Sequence, residues 1–296
     1  MKEEGMKKGQ GMKAGFFAAM VAAVMMVGGF GVEQADASET FRIAITQAKM
    51  GAARKYRPLE SYMKDKGIDV QFVAAKDYPA AARMFDEGDV DAMFCGSGVA
   101  GSMIIKDLAY PLLRPKSKAG HSTYWAVVIA PKGNEKFDGN AEYFKGKKVL
   151  ASPLASSGEF YYRSIPDIEG QGQLLYASSH GSAVDALAKG AADAAVVKNW
   201  VWESMKDQYP QLELVGQDRG ENPDGTLIVA KKADKDLVEK VGSVLFGINE
   251  DQSPAADAVR EKMDMTVFIE TTKEDFQHTL SLLREAGVDE GFNFRF

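Results

Sequence analysis

Past Ser38 the chain alternates short apolar runs with longer amphipathic ones, the pattern of β-α units on a mainly parallel sheet. Phe41 to Thr46 predicts a first strand. Gly51 to Lys66 carries Tyr56, Leu59, Tyr62 and Met63 at helical spacing, and Gly67 supplies a stop. Val70 to Ala74 and Val90 to Cys95 predict two more strands, with a helix from Tyr78 between them. Gly96-Ser97-Gly98 then opens a helix running to about Lys106. Ala109 to Leu113 and Thr123 to Ala130 predict further strands, and the continuity of the second marks it as buried on both faces.

After a break at Pro131 to Asn134, Lys147 to Ala151 predicts a strand that hands over through Ser152-Pro153-Leu154-Ala155-Ser156-Ser157-Gly158 to a helix. The alternation resumes with strands at 173–177, 191–197 and 212–215, helices at 181–189 and 200–209, and an apolar run from Thr226 to Ala230. Beyond it the pattern predicts helices alone, at Asp234 to Phe246, Pro254 to Lys262 and Lys273 to Ala286.

One echo organises these elements. Gly88-Asp89-Val90-Asp91-Ala92-Met93 and Gly190-Ala191-Ala192-Asp193-Ala194-Ala195 each follow an Ala-rich helix and lead into an apolar strand. A helix that stops before a parallel strand favours Gly by itself. It does not explain Asp-Ala at the same offset, so two similar α/β lobes are implied.

Composition changes this picture little: 45% hydrophobic and 26% charged residues in 296 are ordinary for two domains. A net charge of -6 argues against a nucleic-acid surface. At the N-terminus Lys2, Lys7, Lys8 and Lys13 precede an apolar stretch from Ala14 to Val32, and Ala35-Asp36-Ala37 has the small-x-small pattern of a signal-peptidase site. A cleaved signal peptide over residues 1–37 and a periplasmic mature chain are expected, with a retained anchor as the competing reading. The single cysteine, Cys95, excludes an internal disulfide and reads as a small buried hydrophobe.

Catalytic patterns are thin. There are three histidines, no His-Glu-x-x-His, no Gly-x-Ser-x-Gly and no P-loop. No enzyme activity, metal or cofactor is expected. What stands out is a set of neutral polar residues at strand ends: Ser97, Tyr124, Ser156, Ser157, His180 and Asn199. Hydroxyls at a strand-to-helix turn put free backbone N–H groups and the positive end of a helix in one place, which suits an anion. The same residues also read as an N-cap, and His180 as a cap or packed surface residue.

Ser152-Pro153-x-x-Ser156-Ser157-Gly158, the strand Tyr124 to Ile129, and Ser179-His180-Gly181-Ser182-Ala183-Val184-Asp185 followed by Gly190-x-x-Asp193-Ala194-Ala195 together resemble the phosphate/phosphite/phosphonate-type periplasmic binding proteins of ABC importers. The likeness runs from about Arg42 to the last helix and includes Pro58-Leu59-Glu60-Ser61-Tyr62 and Phe94-Cys95-Gly96-Ser97. It implies a two-lobed α/β periplasmic-binding-protein fold, type II-like. Lobe 1 would span 38–128 and 226–296 and lobe 2 would span 129–225, with crossover hinge strands at Thr123 to Pro131 and about Gly225 to Lys231. It also implies capture of a small oxyanion of the phosphonate, phosphite or phosphate class and delivery by a monomer to an ABC permease. A sensory module of the same fold that signals to a membrane receptor is the alternative. The family's Ser-Thr-Ser turn falls on Ala155, Ser156 and Ser157, and its histidine on His180. Ligand contacts are therefore expected from Ser156, Ser157, Gly158, His180, Tyr124, Ser97 and Asn199, and Ala155 departs from the family's first hydroxyl.

Overall fold

The computed structural model describes residues 40–46, 52–153 and 156–295. The expected signal peptide and Ala155 lie outside the described residues. Apolar strands form two sheets. The first contains β1 (Phe41–Thr46), β2 (Val70–Ala75), β3 (Ala92–Cys95), β4 (Ala109–Ser117), β12 (Thr226–Ala230) and β13 (Met265–Glu270), in the order β13-β4-β12-β3-β1-β2. The second contains β6 (Ala126–Pro131), β7 (Lys148–Ala151), β8 (Gln173–Tyr176), β9 (Ala194–Lys198) and β10 (Leu212–Gln217), in the order β10-β6-β9-β7-β8. A separate short ladder pairs β5 (Thr123–Tyr124) with β11 (Asn222–Pro223).

Read from the matching edge, the sheets run β2-β1-β3-β12-β4 and β8-β7-β9-β6-β10, so the strand order itself repeats. The echo in the sequence now has a physical cause. Asp91 accepts a hydrogen bond from the Arg42 backbone N at 2.7 Å, and Asp193 accepts the equivalent bond from Lys148 N at 2.7 Å. In each half the carboxylate satisfies an amide at the start of the neighbouring parallel strand and pins the register there. The preceding glycines, Gly88 and Gly190, take φ of +79° and +76°, a left-handed stop that other residues adopt only with strain.

Helices cover both faces of each sheet. In the first half α1 (Ala52–Asp65), α7 (Lys235–Gly247) and α8 (Pro254–Met263) supply one apolar layer, through Leu59, Tyr62, Val241 and Val259. The other layer comes from α2 (Tyr78–Glu87), α3 (Ser97–Ile105) and α9 (Gln277–Glu285), through Phe85, Met103 and Leu283. In the second half α4 (Ser157–Ser164) packs Tyr162 beside Phe144, while α5 (His180–Ala188) and α6 (Asn199–Met205) bury Val184, Leu187 and Trp202. Phe160 of α4 is the exception: fully buried, it packs in the cluster of Val99, Met103 and Leu283 and so joins the two halves.

Three expectations need correction. The sheets are mixed, not mainly parallel: β12 runs antiparallel to β3 and β4, and β6 antiparallel to β9 and β10, because these strands arrive from the crossovers. The C-terminal region is not helical alone, since β13 adds an antiparallel edge strand against β4. The run from Thr123 is broken at Trp125, so the stretches expected as hinges, Thr123 to Pro131 and Gly225 to Lys231, lie mostly within the sheets. The chain crosses between them at the β5·β11 ladder.

The two aspartates differ in surroundings, and so do their expected contributions. Asp91 is buried and also pairs with the Arg42 guanidinium, whereas Asp193 is exposed. Asp91→Ala should lower the unfolding free energy by about 1–3 kcal/mol and Asp193→Ala by about 1 kcal/mol or less, as expected for losing charge-assisted bonds of unequal burial. Urea unfolding with an unchanged slope checks this. Equal losses would contradict it.

Candidate ligand-binding site

Four strands of the parallel sets end by opening a helix, and the first helical residue in each case is polar. Ser97 begins α3 after β3, Ser157 begins α4 after β7, His180 begins α5 after β8, and Asn199 begins α6 after β9. First-turn amides have no intrahelical acceptor, so these positions carry positive potential. Three of the four residues are linked by side-chain contacts at the junction. The Tyr124 hydroxyl shares a hydrogen bond with Ser97 Oγ from the first half. Ser157, from the second half, lowers the pKa of the same phenol, and Ser157 Oγ lies 3.5 Å from His180 Nε2.

Tyr124 sits on the crossover ladder with its side chain buried. Burial pushes its phenol well above the ordinary tyrosine range and the Asp224 charge adds to this, while hydrogen bonds to Ser97 and Ser157 pull the other way. It stays a neutral hydroxyl. His180 is half-buried, and its imidazole is pushed down to about 4, first by desolvation and then by the Lys198 cation, with Asp224 opposing. It too is neutral at ordinary pH. Its Nδ1 is buried without a hydrogen-bond partner among the described residues, as is Trp200 Nε1.

The other expected residues divide. Ser156 is the N-cap of α4: its hydroxyl accepts from Glu159 N at 3.3 Å and donates to the Ser152 carbonyl, so the backbone takes up its hydrogen bonds. Gly158 allows close helix-to-strand packing, since a Cβ there would stand 2.1 Å from the Val196 carbonyl oxygen. Asn199 Oδ1 accepts from Trp125 N at 3.1 Å, which fixes the chain between β5 and β6. Ser97, Tyr124, Ser157 and His180 form the connected set, with Ser156, Gly158 and Asn199 holding its frame.

Two residues not singled out in the sequence join it. Lys198, the last residue of β9, places Nζ 4.1 Å from the Tyr124 ring centroid and 5.4 Å from that of Trp200. It is paired with Asp224 at 2.6 Å, their side chains only 15% and 25% exposed. A signal was available: by the internal repeat Lys198 stands where Gly96 stands in the first half, a strand-end position beside the helix openings.

Two α/β lobes joined by a crossover ladder, with helix N-termini directed to the junction, define a two-lobed periplasmic binding protein. Residues 41–276 match the family described as ABC transporter, phosphonate, periplasmic substrate-binding protein. The chain belongs to that family. Among solved structures, XAC2383 from Xanthomonas citri bound to ATP is similar at TM-score 0.69 and 16% identity, over 85% of this chain and 99% of its own. PhnD1 from Prochlorococcus marinus (MIT 9301) in complex with methylphosphonate gives 0.63 at 13% identity, over 84% and 99%. A binding protein component of an ABC phosphonate transporter (PA3383) from Pseudomonas aeruginosa gives 0.63 at 16%, over 84% and 87%. At these identities the likeness is one of fold. No curated protein matches the chain in sequence.

His180 and His278 should titrate on opposite sides of the ordinary histidine value. His180 should stay neutral until pH falls toward about 4, whereas a hydrogen bond to Asp218 at 2.8 Å holds His278 above the ordinary histidine value. In the His180 window the unfolded chain takes up a proton that the folded one refuses, so stability falls as pH falls from the ordinary value toward about 4. The His278 contribution is complete below the ordinary value and is lost as pH rises through the folded one. An NMR titration of the imidazole resonances checks the order, and a reversed order contradicts it.

Proposed function

We propose that the mature chain captures a small phosphorus oxyanion of the phosphonate, phosphite or phosphate class between its lobes and delivers it to an ABC permease. One observation carries this reading: Ser97, the first residue of α3 in the first half, bonds the buried Tyr124 hydroxyl, and Ser157 and His180, the first residues of α4 and α5 in the second half, pair with one another beside it. Serine, tyrosine and neutral imidazole donate hydrogen bonds to ligand oxygens without transferring a proton, and helix N-termini favour negative charge. Capture and release need no more. Membership of a transport-receptor family and the methylphosphonate named in the PhnD1 complex point to the same chemistry. So does the hinge between the lobes, since a cleft flanked by two rigid sheets closes by small changes in a short ladder.

The lobes in this reading are the first sheet with its helices and the second sheet with its own, exported without the N-terminal 37 residues. The protein would act as a monomer, because each half contributes its share of the site from the one chain.

Linkage gives the test. An anion that binds only the folded chain should raise its melting temperature, and at a hundredfold excess over Kd the gain is about 2.7 kcal/mol. Phosphate, phosphite and methylphosphonate, each titrated against the mature chain, should yield at least one such shift. Ser157→Ala should abolish it with little change in the melting point without ligand. Ser156→Ala should instead cost about 1 kcal/mol of stability through its lost cap and leave binding largely intact. Absence of a shift with all three anions would refute the ligand class.

A further inference from the structure

We propose that Trp200 is a ligand-contacting residue of this site, its indole N–H donating a hydrogen bond to an oxygen of the bound anion. The inference rests on the oxyanion reading and adds to it a donor outside the set of helix-opening residues.

The three tryptophans of the chain hold their indoles differently. Trp125 Nε1 donates to Gln217 Oε1 at 3.3 Å, and Trp202 packs in the apolar cluster of Val184 and Leu187. Trp200 Nε1 is shut off from solvent and has no hydrogen-bond partner among the described residues. An indole N–H is a donor with no acceptor capacity, so it cannot be satisfied by another donor, and burying it unpaired is costly. Folded proteins rarely leave such a group alone. An acceptor that arrives with the ligand accounts for this one.

The surroundings place the donor at the junction of the halves. Trp200 is the second residue of α6 in the second half, and its ring stacks on His121 of the turn between β4 and β5, with centroids 6.5 Å apart and planes inclined by 15°. Lys198 Nζ stands 5.4 Å from the Trp200 centroid and 4.1 Å from that of Tyr124, so the indole and the phenol flank one ammonium. A second nitrogen there, His180 Nδ1, is also buried without a partner among the described residues, while Nε2 of the same ring faces Ser157 Oγ at 3.5 Å. With Ser157 donating to Nε2, Nδ1 carries the imidazole proton and is a free donor like the indole. Two unpaired ring nitrogens, from α5 and α6, thus border the hydroxyls of Ser97, Tyr124 and Ser157. An oxyanion brings the acceptors that both of them lack.

Calorimetric titration of phosphate, phosphite and methylphosphonate into the mature chain and into Trp200→Phe tests this. Phenylalanine keeps an aromatic ring beside His121 and removes the N–H. For whichever anion binds, the substitution should weaken affinity about tenfold or more, as expected for losing a hydrogen bond to a charged acceptor. A tryptophan that merely fills the junction predicts a lower melting point with affinity unchanged, and unchanged affinity overturns the inference. A second measurement uses the native chain with isotope-labelled tryptophan. The indole N–H signal with cross-peaks to the His121 ring should shift when the anion saturates the protein, by more than those of Trp125 and Trp202. An unmoved signal overturns the inference even if Trp200→Phe does not fold. Failure of the native chain to bind any of the three anions would instead overturn the oxyanion reading and this inference with it.

Discussion

The hydroxyl of Tyr124 is the constraint on which the junction depends. A phenol that is 1% exposed must find hydrogen-bond partners inside the protein, since leaving it unsatisfied costs about 1–3 kcal/mol. Its hydrogen-bond partner is Ser97 of α3 in the first half, and Ser157 of α4 acts on it from the second, so both halves meet at this hydroxyl. The ring is held in turn by the crossover: Asn222 pairs with Tyr124 in the ladder and donates its side-chain amide to the Tyr124 carbonyl, and Thr279 of α9 donates to Asn222 Oδ1 at 2.7 Å. The last helix therefore braces the position of the central tyrosine, although it lies far along the chain.

The same helix explains how an apolar and a polar interface coexist. α9 packs against α3 so closely that a Cβ on Gly101 would stand 2.5 Å from Leu283, and Phe160 of α4 enters the cluster that Leu283 helps to form. On another side His278 of α9 bonds Asp218 at the end of the second sheet. Apolar contact holds the halves near one another without specifying register, while the Tyr124, Asn222 and Asp218 hydrogen bonds are directional and specify it. A polar junction of this kind can exchange its internal hydrogen bonds for bonds to a ligand at small net cost, which an apolar one cannot.

Much of this was legible in the sequence where one physical rule acted alone. Strand periods, glycine stops and serine caps predicted β1, β2, α1, α2 and the openings of α3 and α4, because each depends on neighbours within one turn. The Asp-Ala echo implied two lobes, and the hydrogen bonds of Asp91 and Asp193 show why the residue recurs. What was hidden depended on partners distant in sequence. Strand direction is set by the crossovers, so antiparallel β12 and β6 look like any buried strand. Met265 to Glu270 has weak alternation because it forms a sheet edge, and it was missed between two clear helices. Ser156 and Ser157 are adjacent hydroxyls that sequence treats alike, yet one faces its own backbone and the other the junction, a difference that arises at the first turn of α4.

Lys198 was hidden for another reason, and it indicates how the two halves divide their work. By the repeat, Ser97 and Asn199 are equivalent, and so are Gly96 and Lys198. In the first half the strand end offers a bare backbone and a hydroxyl committed to Tyr124. In the second it offers an amide side chain committed to the Trp125 backbone and a cation held by the crossover acid Asp224. Duplicated architecture thus carries unequal chemistry: shape and neutral donors from one side, charge from the other. Asp224 follows β11 in the returning crossover and Lys198 ends β9, so their ion pair ties the crossover to the second sheet. Together with the His278–Asp218 bond, the Lys198–Asp224 pair therefore fixes the second sheet to the crossover and to the last helix.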